Sequence, residues 1–597
     1  MEPTVYQAFA TVAARLGTRP ALLHKVNGRF RAITFNQLHR LVDETAAGLA
    51  RYGLKPGMRV AIYSYNRPEW VIADLAAVKL GAVVVPVYHT LAPDAVTYIL
   101  RDAGVSHLFI ETPDLLNPLL PRLNSIPGLK LTVTFFEPTP PSARPEITPF
   151  SQLKQQGREA LASTPELARA HPARPDDLLT ICYTSGTTGE PRGAMLSHRN
   201  ILSNVRAAIE RFNVSDRDLL VSFLPLCHMF ERTCGYYTML LAGATIAYAE
   251  SLQTIQEDVA AVRPTLLIVV PRVLEKVYAA VQEKILTGPL WQQILMRSTI
   301  KTLNRYYQLK SWNRRIPPGL AVKRKILDLL VARKLRQLGG GRIRLIVSGG
   351  APLERKLART IRSLGFNLVE GYGLTETSPV VCAAVPGQER VGTVGKPFPG
   401  VEVKIGPNDE ILVRGPNVML GYYQQPQATA EVIDADGWFH TGDQGRFDSE
   451  GNLIITGRIK EIIVNSYGKN IAPVPIEQAL CGSKFIEQAV VIGDRRPYLV
   501  ALIVPARLTL EDYARKNRVA AASYEELLNH PEIIALFRAE IDRLLMPFAP
   551  YEQVRKFRLI PEPFTVENGM LTPTLKIRRP EINRAFTRVI ESLYQQD

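Results

Sequence analysis

Short apolar runs set the strongest limit on how this chain can fold. Runs rich in Val, Ile and Leu recur at Val60–Tyr63, Val83–Tyr88, Leu178–Tyr183, Leu219–Leu224, Leu266–Val270 and Ile343–Val347, with helical patterns between them. A segment apolar at consecutive positions is buried on both faces, the condition of a parallel strand with helices packed above and below it. The rhythm predicts an α/β fold with a large N-terminal domain of βα units. Domains run to about 150 residues, so a chain of 597 residues needs several compact units, which rules out a lone small binding module. From Val401 the texture changes. Val401-Glu-Val-Lys-Ile405, the turn Gly-Pro-Asn-Asp and Glu410-Ile-Leu-Val-Arg414 read as a hairpin, hence a small antiparallel β subdomain. Beyond Gly457-Arg-Ile-Lys-Glu461 short strands and helices alternate to the end, as in a small α+β C-terminal domain.

Composition removes several classes. Hydrophobic residues at 46% and charged residues at 21% exclude a disordered or collagen-like chain. The apolar window Trp70 to Tyr88 is broken by Asp74, Lys79 and Pro86, which predicts a helix and then a strand rather than a membrane span. Met1-Glu2-Pro3 opens no secretory signal. Cys182, Cys227, Cys234, Cys382 and Cys481 form no C-x-x-C pair and no His-flanked set, so neither a disulfide framework nor structural zinc is expected, and a reducing, cytoplasmic setting fits.

The charge is local. Between Lys284 and Arg344 stand fifteen basic residues and one acid, Asp328, while the rest of the chain is nearly neutral, so a diffuse nucleic-acid-binding surface is not indicated. Within this segment Val322 to Leu338 sets Ile326, Leu329, Leu330, Leu335 and Leu338 among Lys323, Arg324, Lys325, Arg333, Lys334 and Arg336. Such a basic amphipathic helix either packs its apolar stripe on its own domain or meets an anionic membrane surface or polyanionic substrate.

Three motifs carry chemistry. Tyr183-Thr-Ser-Gly-Thr-Thr-Gly-Glu-Pro-Arg-Gly193 directly follows an apolar strand; its hydroxyls, close glycines and cation make an anion nest of converging backbone N–H groups. It is no Walker A loop, because Gly186 and Gly189 stand too close and no Gly-Lys-Ser/Thr follows. Gly371-Tyr-Gly-Leu-Thr-Glu-Thr377 joins a flat aromatic to a carboxylate suited to magnesium beside phosphates. Gly437-Trp-Phe-His-Thr-Gly-Asp443 and Gly457-Arg458 supply an acid and a guanidinium, fit for a ribose diol and phosphate or for a structural ion pair.

In this order and spacing the motifs resemble the adenylate-forming superfamily of acyl-CoA synthetases, peptide-synthetase adenylation domains and luciferases, from about Leu38 to Pro580. Leu224-Pro-Leu-Cys-His-Met-Phe-Glu-Arg-Thr233, Pro271-Arg-Val-Leu-Glu-Lys276, the basic insert and Leu571-Thr-Pro-Thr-Leu-Lys576 look like the long-chain fatty acyl-CoA synthetase branch. The resemblance implies an N-terminal adenylation domain over residues 1–459 and a mobile C-terminal domain over 460–597, pivoting at Lys460. It implies that Thr184, Ser185, Gly186, Thr187, Thr188 and Gly189 cradle the ATP phosphates, with Arg192 where the family usually has lysine. Gly350, Ala351 and Pro352 would line adenine, Tyr372 would stack on it, Thr375 would contact the α phosphate, and Glu376 would hold Mg2+. Asp443 and Arg458 would bind ribose, Lys576 would be the C-terminal catalytic lysine, and His228 would gate the acyl site. Ser466, Gly468 and Lys469 would lie on the CoA side, with Tyr467 standing where a small residue is expected.

The function so implied is an ATP-dependent, AMP-forming ligase that activates a long-chain fatty acid and passes it to CoA at a membrane surface. An acyl-AMP ligase delivering to acyl carrier protein, a luciferase-like oxygenase and a non-catalytic acyl or nucleotide sensor share the fold. The joint presence of Glu376, Asp443, Arg458 and Lys576 speaks against the sensor. Fatty acid, ATP, Mg2+ and CoA are the implied substrates and cofactors, an anionic membrane the implied surface, and a homodimer is compatible with this reading.

Overall fold

The six apolar runs divide between two sheets, which the sequence alone does not reveal. The computed structural model describes residues 3–137, 146–184, 191–251, 253–286, 289–311, 314–572 and 576–595. It separates into two units: the first reaches Phe439, and the second begins at His440 and takes in 354–356 and 404–412.

In the first unit, Arg59–Tyr63, Val83–Val87 and Leu178–Thr184 belong to an eight-stranded sheet, whereas Leu219–Ser222, Leu266–Val269 and Leu345–Ser348 belong to a nine-stranded one. Their inner pairings are parallel, as continuous apolar runs require. Leu178–Thr184 pairs antiparallel with Arg192–Ser197, the strands that flank the glycine-rich segment in sequence. The helix Pro68–Lys79 is buried at every position but Glu69, the mark of a core helix with no solvent face.

That burial includes a charge. Asp74, in this helix, meets Arg232, and neither side chain is exposed to solvent. Arg232 Nη1 also donates to Thr180 Oγ1 (2.7 Å), while the hydroxyls of Tyr236 and Tyr237 donate to Asp74 Oδ2 at 3.0 and 2.8 Å. The network joins a core helix, a strand of the eight-stranded sheet, and the π-helical turn Phe230–Tyr237 that follows a strand of the other sheet.

The hairpin expected after Val401 appears as Glu402–Ile405 and Glu410–Arg414, in a four-stranded sheet with Phe439–Phe447 and Leu453–Arg458. In the second unit, Leu499–Pro505 pairs antiparallel with Ile486–Ile492 and parallel with Val554–Leu559. Its alternate residues feed two cores: Leu499, Ala501 and Ile503 pack with Ile476, Phe537 and Ile541, and Leu502 and Val504 with Phe564, Ile582 and Ile590.

The basic segment is a helical run of Pro318–Leu327, the π turn Asp328–Ala332 and Arg333–Leu338. Leu327, Val331 and Ala332 face inward, and Leu335 packs against the cluster of Leu303, Ala332 and Leu364. Among the described residues, no helix is long and apolar enough to cross a membrane.

Removing one partner of a buried ion pair strands the other charge, at a cost of about 3–5 kcal/mol. Asp74→Ala is therefore expected to lower stability by about that amount, read as an earlier urea unfolding transition of the first unit. An unchanged midpoint would show that Arg232 is solvated some other way.

Candidate functional site

The candidate site of the first unit is built from loops at strand ends. Thr184 and Arg192 are opposed in the hairpin ladder, and Thr184 Oγ1 donates to the Arg192 carbonyl at 3.4 Å. The expected phosphate residues Ser185, Gly186, Thr187, Thr188 and Gly189 lie outside the described residues.

In the other sheet the parallel neighbours Leu345–Ser348 and Leu368–Gly373 end side by side. Gly350, Ala351 and Pro352 leave the first as an exposed loop, with Gly350 at φ +81°. Tyr372 pairs with Cys382, and a single 3-10 turn, Thr375–Thr377, reverses the chain. A Cβ on Gly373 would lie 1.7 Å from the Pro379 carbonyl oxygen, so no larger residue fits where the turn doubles back. Thr377 fastens the turn, accepting from Leu374 N–H (3.0 Å) and donating to the Pro379 carbonyl (2.6 Å). Thus Thr375 and Glu376 stand at the carboxyl edge of a largely parallel sheet, where ligands bind in open α/β sheets.

His228 belongs to the segment leading into the π-helical turn. Its Nδ1 accepts the N–H of Phe230 (3.2 Å), and its ring stands edge-on to Tyr88 with centroids 6.3 Å apart. A Cβ on Gly349 would come within 2.9 Å of the Phe230 ring, so the expected gate segment and the expected adenine loop are in direct contact.

Tyr422 is a site residue that the motifs do not reveal. It sits on the two-residue strand Gly421–Tyr422, which pairs with Arg192–Ser197. Its hydroxyl donates to Glu376 Oε1 at 3.0 Å, and the Arg192 guanidinium lies 5.6 Å from its ring centroid. Burial, with the Glu376 carboxylate adding to it, pushes the Tyr422 hydroxyl well above its ordinary range, so it stays a donor. No spacing rule links position 422 to 376, and no motif of the sequence marks Tyr422. Among the described residues no group of three or more His, Cys, Asp or Glu could hold a metal. A lone carboxylate in a turn nevertheless suits Mg2+, which commonly takes one or two carboxylates and completes its shell with substrate phosphates and water.

The second unit carries the other expected residues. Arg458 Nε donates to Asp443 Oδ1 at 2.7 Å, and the two are opposed in the ladder of Phe439–Phe447 with Leu453–Arg458, so this acid and guanidinium pair with each other. Lys460 lies in the 3-10 turn Ile459–Glu461, and its side chain falls outside the described residues. Lys576 N–H donates to Thr572 Oγ1 (3.0 Å), and Thr572 N–H to the Lys576 carbonyl (2.8 Å). Asn465 organises the Ser466–Lys469 turn, its Oδ1 accepting from Tyr467 N–H (3.1 Å) and Lys469 N–H (2.9 Å), with Gly468 at φ +72°. Tyr467 is exposed, and Lys469 Nζ lies 5.9 Å from the Tyr551 ring centroid.

Glu231, beside the expected gate, is fully buried with the Ser222 hydroxyl donating to its Oε1 (2.6 Å). Burial pushes its carboxyl up to about 8, against the opposing Ser222 hydrogen bond, so it is protonated at neutral pH.

Known proteins resemble this chain over most of its length. Residues 9–423 match the family described as AMP-binding enzyme, and residues 460–597 its C-terminal domain. A long-chain-fatty-acid–CoA ligase of Mycobacterium bovis is 35% identical over 581 residues, covering 96% of this chain and 94% of that one. Long-chain-fatty-acid–CoA ligase 1 of Homo sapiens is 33% identical over 627 residues, covering 99% and 86%. A peroxisomal long chain acyl-CoA synthetase of Arabidopsis thaliana is 34% identical over 606 residues, covering 97% and 84%. Among solved structures, an anthranilate CoA ligase in complex with anthranoyl-AMP matches with TM-score 0.75 at 19% identity, covering 99% of this chain and 98% of that one. The adenylation domain of a carboxylate reductase from Mycobacterium chelonae matches with TM-score 0.77 at 24% identity, covering 99% and 91%. These two speak for the fold alone.

Glu231 also makes stability depend on pH. Its folded pKa lies above the unfolded value, so its contribution is complete below the unfolded pKa and is lost as pH rises toward about 8. Unfolding midpoints across pH 5 to 8.5 are expected to fall for the native protein, by up to about 1.4 kcal/mol per pH unit from this group. Glu231→Gln, neutral throughout, is expected to flatten that slope; equal slopes would show that Glu231 ionises without penalty.

Proposed function

The chain belongs to the AMP-binding enzyme family, and from that premise we infer that it is an ATP-dependent, AMP-forming long-chain fatty acid:CoA ligase. Relatives with that name align over nearly the whole of this chain, and one observation ties the reading to the fold: the cation after the glycine-rich segment and the carboxylate of the Thr375–Thr377 turn converge on Tyr422.

The chemistry needs such parts. A carboxylate gives a thiol no usable leaving group. Attack of the fatty acid carboxylate on the α phosphate of ATP forms the acyl–phosphate bond and releases pyrophosphate; the CoA thiolate then forms the thioester and releases AMP. Negative charge grows on phosphate oxygens in the first step, and fixed cations and donors stabilise it. Thr184, Arg192 and the segment Ser185–Gly189 hold the β and γ phosphates. Gly350, Ala351, Pro352 and Tyr372 hold adenine, Asp443 and Arg458 hold ribose, and Thr375 donates to the α phosphate. Glu376 is the residue that would hold Mg2+, whose charge offsets that of the phosphates when it is bound. Lys576 serves the adenylation step, Lys460 is the pivot between the half-reactions, the Ser466–Lys469 turn serves CoA, and His228 gates the acyl chain.

The basic segment serves substrate supply. Of the apolar residues in its helical run, Val322, Ile326, Leu329, Leu330 and Leu338 are between 49% and 61% exposed, so this stripe presents much of its surface outward. Val322, Ile326, Leu329 and Leu330 follow helical spacing beside Lys323, Arg324, Lys325, Arg333 and Lys334. Apolar side chains flanked by cations match an anionic bilayer, the phase in which long-chain fatty acids reside. This surface docks peripherally on such a membrane.

Two measurements test these readings. Pyrophosphate exchange into ATP is expected with long-chain fatty acids and to fall a hundredfold or more in Lys576→Ala, the scale of losing one charged donor. Adding CoA is expected to yield AMP and acyl-CoA; exchange without thioester would point to carrier protein as acceptor, and no exchange with any acid would refute the ligase. In flotation with phosphatidylserine vesicles, Ile326→Asp/Leu330→Asp is expected to abolish co-flotation and leave exchange with a soluble shorter-chain acid intact. Unchanged flotation would remove the docking surface.

A further inference from the structure

We propose that Tyr422 is a positioning residue that couples the two halves of the nucleotide site, and that Arg192 is an arginine in this chain because it lies on the face of Tyr422. The inference rests on the nucleotide-binding reading above and adds to it a residue outside the motifs.

The segment 416–423 is a strap laid across both halves. At one end the Asn200 amide donates to the carbonyls of Pro416 and Val418, both at 2.8 Å, and the Asn417 amide donates to the Thr377 carbonyl at 3.1 Å. Met419 N–H donates to the Glu376 carbonyl at 2.8 Å, so the strap grips the backbone of the carboxylate turn. At the other end Leu420 N–H donates to the Met195 carbonyl (2.9 Å) and Tyr423 N–H to the Gly193 carbonyl (2.8 Å), beside Arg192. Tyr422 N–H donates to Thr429 Oγ1 at 2.9 Å, and the residue is only 8% exposed. The backbone of the strap therefore fixes where the phenol ring stands.

Two separate contacts leave that ring. The hydroxyl donates to Glu376 Oε1 at 3.0 Å. With one oxygen engaged, the carboxylate is held in one orientation, and the direction of its second oxygen is set with it. Partners that orient a metal-binding carboxylate in this way commonly change metal affinity by about 10–100-fold when removed. The ring face meets the Arg192 guanidinium at 5.6 Å. A planar guanidinium stacks on an aromatic face while its N–H fork stays available to phosphate oxygens, which the compact ammonium of lysine does less well. The departure from the family's lysine thus has a local cause: the cation is braced by the residue that aims the carboxylate.

The two contacts are separable by substitution. Tyr422→Phe keeps the ring and removes the hydroxyl; Tyr422→Leu removes both. ATP binding to the full-length protein is measured by titration calorimetry at graded Mg2+ and again in EDTA, with thermal melting as a check on folding. Tyr422→Phe is expected to raise the Mg2+ concentration giving half of the metal-dependent gain in ATP affinity by about 10-fold, with metal-free ATP affinity within about twofold of native. In pyrophosphate exchange the same variant is expected to raise KM for MgATP more than it lowers kcat. Tyr422→Leu is expected to weaken metal-free ATP binding by a further factor of about two to five, a loss that disappears when Arg192→Lys is already present. Native Mg2+ dependence in Tyr422→Phe would overturn the role of the hydroxyl, and equal metal-free affinities of the Phe and Leu variants would overturn the stacking role. Either result leaves the ligase standing if the native protein binds ATP; absence of ATP binding by the native protein would overturn both.

Discussion

Arg232 carries a charge into a place water does not reach, and the fold around it is organised by the need to neutralise it. Asp74 is the carboxylate it meets, and both side chains are fully buried. Such a pair is poor as a source of net stability but strict in geometry, because any shift that parts the ions leaves two unsolvated charges. Asp74 fixes the core helix, Thr180 fixes the strand that precedes the glycine-rich segment, and Arg232 fixes the π-helical turn behind His228. One electrostatic constraint thereby holds in register the strand that ends at the expected phosphate loop and the segment expected to gate the acyl chain. Tyr236 and Tyr237 complete the satisfaction of Asp74 and stack on each other at 4.4 Å.

On that frame the first unit assembles its candidate site from two sheets that each supply a different kind of group. The eight-stranded sheet contributes the cation Arg192; the nine-stranded sheet contributes two loops at the carboxyl ends of parallel strands, one with small residues and one with a carboxylate. The strap 416–423 holds them together mainly through backbone hydrogen bonds and asparagine side chains, which are short and lose little freedom on ordering, and through one tyrosine. The Gly373 close approach and the Thr377 hydroxyl fasten the carboxylate turn from within.

The amphipathic segment shows where pattern reading stops. Its sequence is compatible with a helix that buries its apolar stripe and with one that presents it to lipid, because periodicity states which residues share a face and not what covers that face. The structure separates the stripes. Leu327, Val331 and Ala332 turn inward, whereas Val322, Ile326, Leu329 and Leu330 remain outside. The π turn Asp328–Ala332 shifts the phase between the two halves of the run, which an ideal 3.6-residue period does not anticipate.

The sequence by itself determined the α/β class, the strands at the six apolar runs, the hairpin at Val401 to Arg414 and the family, because each depends on local pattern or on residues adjacent in the chain. Tertiary structure alone decided that the runs divide between two sheets, that Asp443 and Arg458 pair with each other, that Glu231 is buried enough to stay protonated, and that Tyr422 joins Arg192 to Glu376. These depend on which surfaces meet after the chain has crossed between sheets. Positions 192, 376 and 422 are far apart in sequence, and only the ordering of strands brings a guanidinium, a carboxylate and a phenol within a few ångströms of one another.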